Sequence, residues 1–242
     1  MESIADSFFS TLNHKLEPPV QQHLKNVYSC VTISMLAAAL GGFIHVFTDI
    51  FSGGLLSGLV SLGFLIALIA TPDDGKNRTT RLGFLTVFAF TSGLGLGPLL
   101  DMAIAVNPAI IPMAFLSTCL IFACFTLSAM FADHRKFLYL GGSLMSLLSV
   151  MTLMAIMNIF MASYFLFKIQ IYVGLALMCG FIMFDTQHII EKRRRGDQDF
   201  IWHSVDLFID LIKVFRYVVI IFADKDQNRN KKTEDFFQIS SY

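Results

Sequence analysis

Charged residues are scarce in this chain, and their absence from long stretches decides the class of protein. Asp, Glu, Lys and Arg make up 15% of the 242 residues, whereas hydrophobic residues make up 55%. A bilayer-spanning helix needs about 20 apolar residues. An ordinary water-soluble domain is therefore excluded, and we predict an all-α, multi-pass membrane protein. Five runs contain no charged residue: Ile50–Pro72, Leu82–Leu100, Met102–Ala132, Phe137–Phe167 and Ile169–Phe184.

Signatures of several other classes are missing as well. The four cysteines lie in apolar runs without metal-ligand spacing, so neither a zinc site nor a disulfide framework is expected. The net charge is zero, which gives no electrostatic reason to expect nucleic acid as a partner. Residues 1–27 are polar and unlike a cleavable signal peptide. Membrane lipid is the partner that the composition predicts.

The apolar segments predict seven helices joined by short connections, as in a bundle of antiparallel neighbours. We expect a single helical domain over residues 28–223, preceded by a cytosolic arm at 1–27 and followed by a charged tail at 224–242. The predicted spans are residues 28–48, 52–71, 82–100, 109–131, 137–157, 169–190 and 201–222.

Basic residues predict which side each connection faces, because cytosolic loops are enriched in Lys and Arg. The first and third connections have neither, and the fifth has only Lys168. The even connections together contain nine Lys and Arg residues, which predicts that these connections and the N-terminus face the cytosol. The seventh segment either crosses fully or re-enters, and the side of the tail stays open. Nine basic residues fall in the even connections: Lys76, Arg78, Arg81, Arg135, Lys136, Lys192, Arg193, Arg194 and Arg195.

Ionisable residues in the last two apolar segments are the main functional candidates. A carboxylate at membrane depth costs several kcal/mol unless it is paired, hydrated or protonated. Asp185 lies in the sixth segment, and the seventh has charged and polar residues at spacings of three and four, which share a helix face. We expect this helix to be central and shielded by the others. Its candidates are His203, Asp206, Asp210, Lys213 and Tyr217, with Arg216 off that line.

The partner of Asp185 is ambiguous from spacing alone. A hairpin with its apex near residues 195–196 puts Asp185 level with Asp206, and Asp210 about 6 Å deeper. A tilt or an uneven loop would bring Asp210 level instead. Two acids in contact would titrate in coupled steps and, once ionised, offer hard oxygen ligands to a transient Ca²⁺ ion. The structural alternative is a set of internal ion pairs, Asp210–Lys213 and Asp206–His203.

Asp101 is a weaker candidate for a lumenal entrance, since a carboxylate at a helix end beside a loop is more often simply solvated. It follows alternating glycines at positions 93, 95 and 97. These glycines superficially suggest a nucleotide loop, but they lie inside a predicted span. Close helix packing is therefore the expected role.

Four stretches resemble the Bax inhibitor family of transmembrane proteins, within a similarity that runs from about residue 21 to 223. The resemblance implies six helices around a central C-terminal helix, in the endoplasmic-reticulum membrane. It also implies a pH-sensitive Ca²⁺ leak or Ca²⁺/H⁺ exchange, with suppression of Bax-type cell death and of endoplasmic-reticulum stress. Ca²⁺ and H⁺ would be transported or regulating ions, and no cofactor is implied. The stretches are Gln21–Tyr28, Gly93–Pro108, Cys124–Ser146 and Tyr172–Phe215.

The family's aspartyl pair maps onto Asp185 of FDTQ and onto Asp210, the second aspartate of VDLFID. The resemblance thus favours Asp210 over Asp206. Bacterial relatives latch this pair with a cation from the second helix, but Ile50–Pro72 contains no Lys or Arg. Family tails are often lysine-rich to the end, whereas this one ends in TEDFFQISSY.

Two other functions remain open at this stage, and a homo-oligomer is possible with any of them. The chain could be a non-conducting adaptor that binds Bcl-2-type regulators or stress sensors. An intramembrane aspartyl protease also needs two membrane aspartates, but its glycine-x-glycine-aspartate element is missing around Asp206 and Asp210. We therefore expect no enzymatic activity and no catalytic residue.

Overall fold

The structure, a computed structural model, describes residues 16–48, 54–132 and 137–240, which form eight helices and no strand. Four helices (α1, α5, α6 and α7) are long and apolar enough to span a bilayer, and α3 with α4 makes a fifth candidate. The prediction of an all-helical, multi-pass membrane protein is confirmed. The helices are α1 (Pro18–Phe47), α2 (Leu55–Ala70), α3 (Arg78–Gly95), α4 (Gly97–Val106), α5 (Ile110–Phe131), α6 (Leu140–Met161), α7 (Tyr164–Arg194) and α8 (Phe200–Ser240).

The first helix begins ten residues before the predicted start of the first span. Pro18 and Pro19 occupy the first helical positions. A missing N–H costs nothing there, and the fixed φ of proline suits a helix start. Residues 1–15 of the predicted arm, and Arg135 and Lys136 of the fourth connection, lie outside the described residues.

The predicted third span consists of two helices, α3 and α4, bent by 41°. The break falls at Leu96, with Pro98 in the first turn of α4, where its missing N–H is tolerated. The predicted third connection is therefore mostly helical, and Asp101 lies within α4 rather than beside a loop. The fifth connection is also shorter than predicted. Only residues 162–163 separate α6 from α7, and Ala162 closes α6 with a φ of 48°.

Glycines allow α1 and α3 to cross at very short distance. A Cβ atom on Gly93 would lie 2.0 Å from the carbonyl oxygen of Ala38, and one on Gly41 would lie 2.2 Å from that of Phe90. A Cβ atom on Gly97 would lie 2.4 Å from the ring of His45. The prediction that these glycines serve helix packing is confirmed for Gly93 and Gly97.

Helix α8 lies between two hydrophobic clusters and contacts α1, α3, α4, α5 and α7. Leu207, Leu211 and Val214 pack into the larger cluster with residues of α1, α4, α5, α6 and α7. On another face, Val205 and Phe208 pack against α1, α2 and α3. A helix buried on two faces can hold a polar side chain away from lipid.

The two ends of α8 lie at opposite ends of the bundle. Near its start, Asp199 binds Arg81 of α3, whose helix follows the basic second connection. Near residue 226 the helix meets the third and fifth connections instead. Asn107 Nδ2 donates to Oδ2 of Asp226 at 2.8 Å, and Lys168 Nζ lies 3.3 Å from Oδ2 of Asp224. The helix is continuous between these contacts.

Candidate functional site

The turn between α7 and α8 sets the relative depth of the membrane acids. Asp185 lies nine residues before the end of α7 at Arg194, and Asp210 lies ten residues after the start of α8 at Phe200. At the helical rise per residue, these positions are about 14 and 15 Å from the turn. The simple hairpin estimate paired Asp185 with Asp206 because it counted residues 197–199 as helix. Those residues add no helical rise, so Asp210 is level with Asp185.

Asp185 on α7 and Asp210 on α8 lie close enough for their carboxyl groups to interact. Asp210 is 4% exposed, and its Oδ2 atom receives no hydrogen bond from an N–H or O–H group of the described residues. A hydrogen bond between two carboxyl groups requires a proton on one of them, because ionised carboxylates only accept. A hydrogen bond between Asp185 and Asp210 would therefore need a proton on one of them.

The other charged residues of the seventh segment surround this pair without neutralising it directly. Asp206 is half-buried and Lys213 is exposed. Asp206 interacts with Asp185 and Asp210 through charge alone, as does Lys213. Arg216 is exposed and forms no ion pair with the described residues. Neither Asp210–Lys213 nor Asp206–His203 is among the ion pairs of the described chain, which disfavours the purely structural alternative.

His203 lies in the first turn of α8, between Asp210 and the turn that follows the basic residues 192–195. It joins α8 to α1. Its Nδ1 atom lies 2.9 Å from Nε2 of His23, so one ring donates a hydrogen bond and the other accepts it. Both rings are buried. The Nε2 atom of His203 lies 3.4 Å from Oδ2 of Asp197 but is not aligned for a hydrogen bond. His23 and His203 are 180 residues apart in the sequence, so local patterns gave no sign of this contact.

Asp197 supplies negative charge to the turn outside the spanning segments. Burial raises the pKa of its carboxyl. The hydrogen bond from the backbone N–H of Asp199 and the nearby charge of His203 outweigh burial, and the resulting pKa lies below its usual range. The turn therefore keeps a carboxylate beside the buried histidine pair near neutral pH.

Asp101 lies at the other end of the bundle from this turn. Its Oδ2 atom lies 3.0 Å from Nε2 of His45 on α1, and 60% of its side chain is exposed. A role of Asp101 at a lumenal entrance stays a prediction. The residue also has a simpler role, since the contact fixes α4 against α1.

The next question is whether the described side chains could hold a bound metal ion. No group of three or more His, Cys, Asp or Glu side chains among the described residues is placed to hold a metal ion. Ca²⁺ prefers six to eight oxygen ligands. Asp185 and Asp210 alone supply at most four carboxylate oxygens, fewer than this number.

Comparisons with known proteins agree with this architecture. Residues 20–227 match the model of the family described as "Inhibitor of apoptosis-promoting Bax1". The chain is 51% identical over 219 residues to "Bax inhibitor 1" of Homo sapiens, which covers 90% of this chain and 92% of the relative. It is 39% identical to the Drosophila melanogaster protein of that name, with 93% and 92% covered. For the Arabidopsis thaliana protein the identity is 40%, with 88% and 86% covered.

Proposed function

The chain belongs to the Bax inhibitor family, and from this premise we propose that it is a proton-sensitive Ca²⁺ leak pathway. It would act in the endoplasmic-reticulum membrane, where it would lower stored Ca²⁺ and restrain Bax-type cell death. The family's printed description and the names of its relatives support the link to cell death. The observation that supports the ion pathway is the proximity of half-buried Asp185 to buried Asp210.

The acid pair couples proton binding to the position of two helices. Adding or removing the shared proton changes the charge of the pair by one unit, at a place where apolar packing screens charge poorly. Full ionisation makes α7 and α8 repel each other and exposes four carboxylate oxygens, the ligand type that Ca²⁺ prefers. Proton binding and Ca²⁺ binding therefore compete at the same atoms. In this proposal the pathway is passive, and Ca²⁺ would move down its own gradient.

Six spans around α8, which is itself the seventh, would form the scaffold of this proposal. The third span would be the bent pair α3–α4, and α2 and α6 would complete the ring. With the N-terminus and the basic connections in the cytosol, the acid pair lies about 15 Å from the cytosolic turn. It lies about 24 Å from Asp226, so cytosolic pH has the shorter route.

This orientation places the tail in the lumen, which weakens the adaptor alternative. The helical tail continues from α8 at the end that carries the third and fifth connections. A lumenal tail cannot bind regulators in the cytosol. An adaptor would instead have to use the basic residues 192–195 at the turn.

Flux measurements in liposomes test the proposal. The purified chain should release Ca²⁺ at a rate that changes across a pH series, and Asp185→Asn and Asp210→Asn should each abolish that change. Asp206→Asn removes the same charge one turn away and is the matched control. It should keep the pH dependence, with at most a displaced midpoint. Unaltered profiles in both dyad variants would refute the role of the pair.

A further inference from the structure

Arg81 is a buried cation that holds two connections together. The residue is 3% exposed, although it carries a guanidinium group. Its Nη2 atom donates to Oδ2 of Asp199 at 2.6 Å, and its Nη1 atom lies 3.3 Å from Oδ1 of Asp73. Asp73 lies in the second connection, and Asp199 lies in the turn before α8. A buried charge persists only when partners of this kind compensate its desolvation.

Asp199 links Arg81 to the start of α8. Its second carboxylate oxygen, Oδ1, accepts the backbone N–H of Trp202 at 2.9 Å, as an N-cap does in the first turn of a helix. One carboxylate therefore binds Arg81 with one oxygen and the start of α8 with the other. The Arg78 guanidinium lies 5.6 Å above the ring of Phe200, which adds a second contact between α3 and α8.

The packing beneath this contact makes the start of α8 rigid relative to α3. The rings of Phe88 and Phe208 meet edge to face with centroids 5.7 Å apart. Ile201 and Val205 belong to the same buried cluster as Leu85. Asp210 follows two residues after Phe208, so a shift of the first two turns of α8 would move it away from Asp185.

We propose that Arg81 is a positioning residue which, through Asp199, holds α8 where Asp210 meets Asp185. This inference rests on the proposed function, since the acid pair is its target. Arg81 lies on α3 and binds Asp199. It acts on the end of the helix and not on the acids themselves. Separation of the acid pair requires α8 to move, and Arg81 resists that movement.

The variants separate this role from ordinary helix capping. Asp199→Asn keeps a side chain that caps helices well but removes the charge that Arg81 requires. Arg81→Gln removes the cation, and Arg81→Lys returns a cation that can reach one carboxylate. Lys76→Gln is the matched control, because it removes an exposed positive charge from the same connection.

Two readouts on the purified full chain report the result. Trp202 is the only tryptophan of the chain, so its fluorescence reports on the first turn of α8. Arg81→Gln and Asp199→Asn should each make Trp202 more accessible to acrylamide. They should also raise Ca²⁺ release from liposomes at neutral pH, by about tenfold for a closed state destabilised in this way. Arg81→Lys should return both readouts part of the way to the wild-type values, and Lys76→Gln should match the wild type.

The outcomes that overturn the inference differ from those that overturn the proposed function. If folded Arg81→Gln and Asp199→Asn proteins keep the wild-type quenching and pH profile, Arg81 has no positioning role. The same holds if Asp199→Ala changes both readouts while Asp199→Asn does not, because capping alone then explains the contact. If the wild type releases no Ca²⁺, the proposed function fails. Quenching of Trp202 then still decides whether Arg81 holds the start of α8.

Discussion

Replacing Gly93 by alanine should destabilise the protein by forcing α1 and α3 apart. The new Cβ atom would lie 2.0 Å from the carbonyl oxygen of Ala38 and 2.7 Å from its Cα atom. Ordinary contact begins near 3.4 Å, so one backbone must retreat by roughly 1.4 Å. Both neighbours are main-chain atoms, and no side-chain rotation can relieve the overlap.

The expected magnitude follows from two opposing effects. Overpacking costs about 1–3 kcal/mol, and a backbone clash belongs at the upper end of that range. Alanine regains at most about 1 kcal/mol of helix propensity over glycine. A net loss of about 2 kcal/mol should lower the Tm by about 4–8 °C for a chain of this size.

Thermal unfolding of the detergent-purified protein measures this difference, with Gly83→Ala as the matched control. Gly83 lies on the same helix, but a Cβ atom there meets nothing within 4 Å. Gly83→Ala should leave the Tm unchanged or raise it by a few degrees, since only the propensity gain remains. Equal Tm values for Gly93→Ala and Gly83→Ala would refute the close α1–α3 crossing.

Two further predictions concern the end of α8. Burial raises the pKa of Asp224, but its contacts with Tyr164 and Lys168 outweigh burial and lower it overall. The contribution of Asp224 to stability is therefore present above pH 3.8 and lost as pH falls through the lower folded-state value. Asp224→Asn should reduce the Tm at pH 7 but not at pH 2, and an equal reduction at both would contradict the assignment. Removal of residues 231–242, which follow the contacts of Asp224 and Asp226, should leave Ca²⁺ release intact. Loss of release would assign the tail to the pathway.

Sequence patterns predicted the membrane class and the neighbourhood of the acid pair, because both depend on local composition. Most charge-free runs are about as long as a span or longer. An aspartate inside a predicted span, such as Asp185, can be identified even when the exact helix bounds are unknown. Depth was harder to predict, since it depends on how many residues of the α7–α8 turn are helical. For this reason spacing alone left the partner of Asp185 open between Asp206 and Asp210, which are one helical turn apart.

Contacts between distant parts of the chain could not be predicted from the same patterns. His23 and His203 are 180 residues apart, and Arg81 and Asp199 are 118 residues apart. The local sequence around one residue of each pair does not indicate which residue is its partner. One signal was available: Asp199 stands three residues before Trp202 at the start of an apolar segment, as a helix N-cap does. The bend between α3 and α4 had a similar signal in Pro98.

Infrared spectroscopy of the acid pair tests the central claim most directly. The carbonyl absorption of a protonated carboxylic acid is distinct from that of a carboxylate, so the shared proton can be followed in the purified protein. We expect a band that is present in the wild type and in Asp206→Asn but lost in Asp210→Asn. It should decline as pH rises and, at fixed pH, as Ca²⁺ is added, because Ca²⁺ and the proton compete for the same oxygens. A band that persists in Asp210→Asn, or that Ca²⁺ leaves unchanged at every pH, would contradict a proton-sensitive Ca²⁺ site at Asp185 and Asp210.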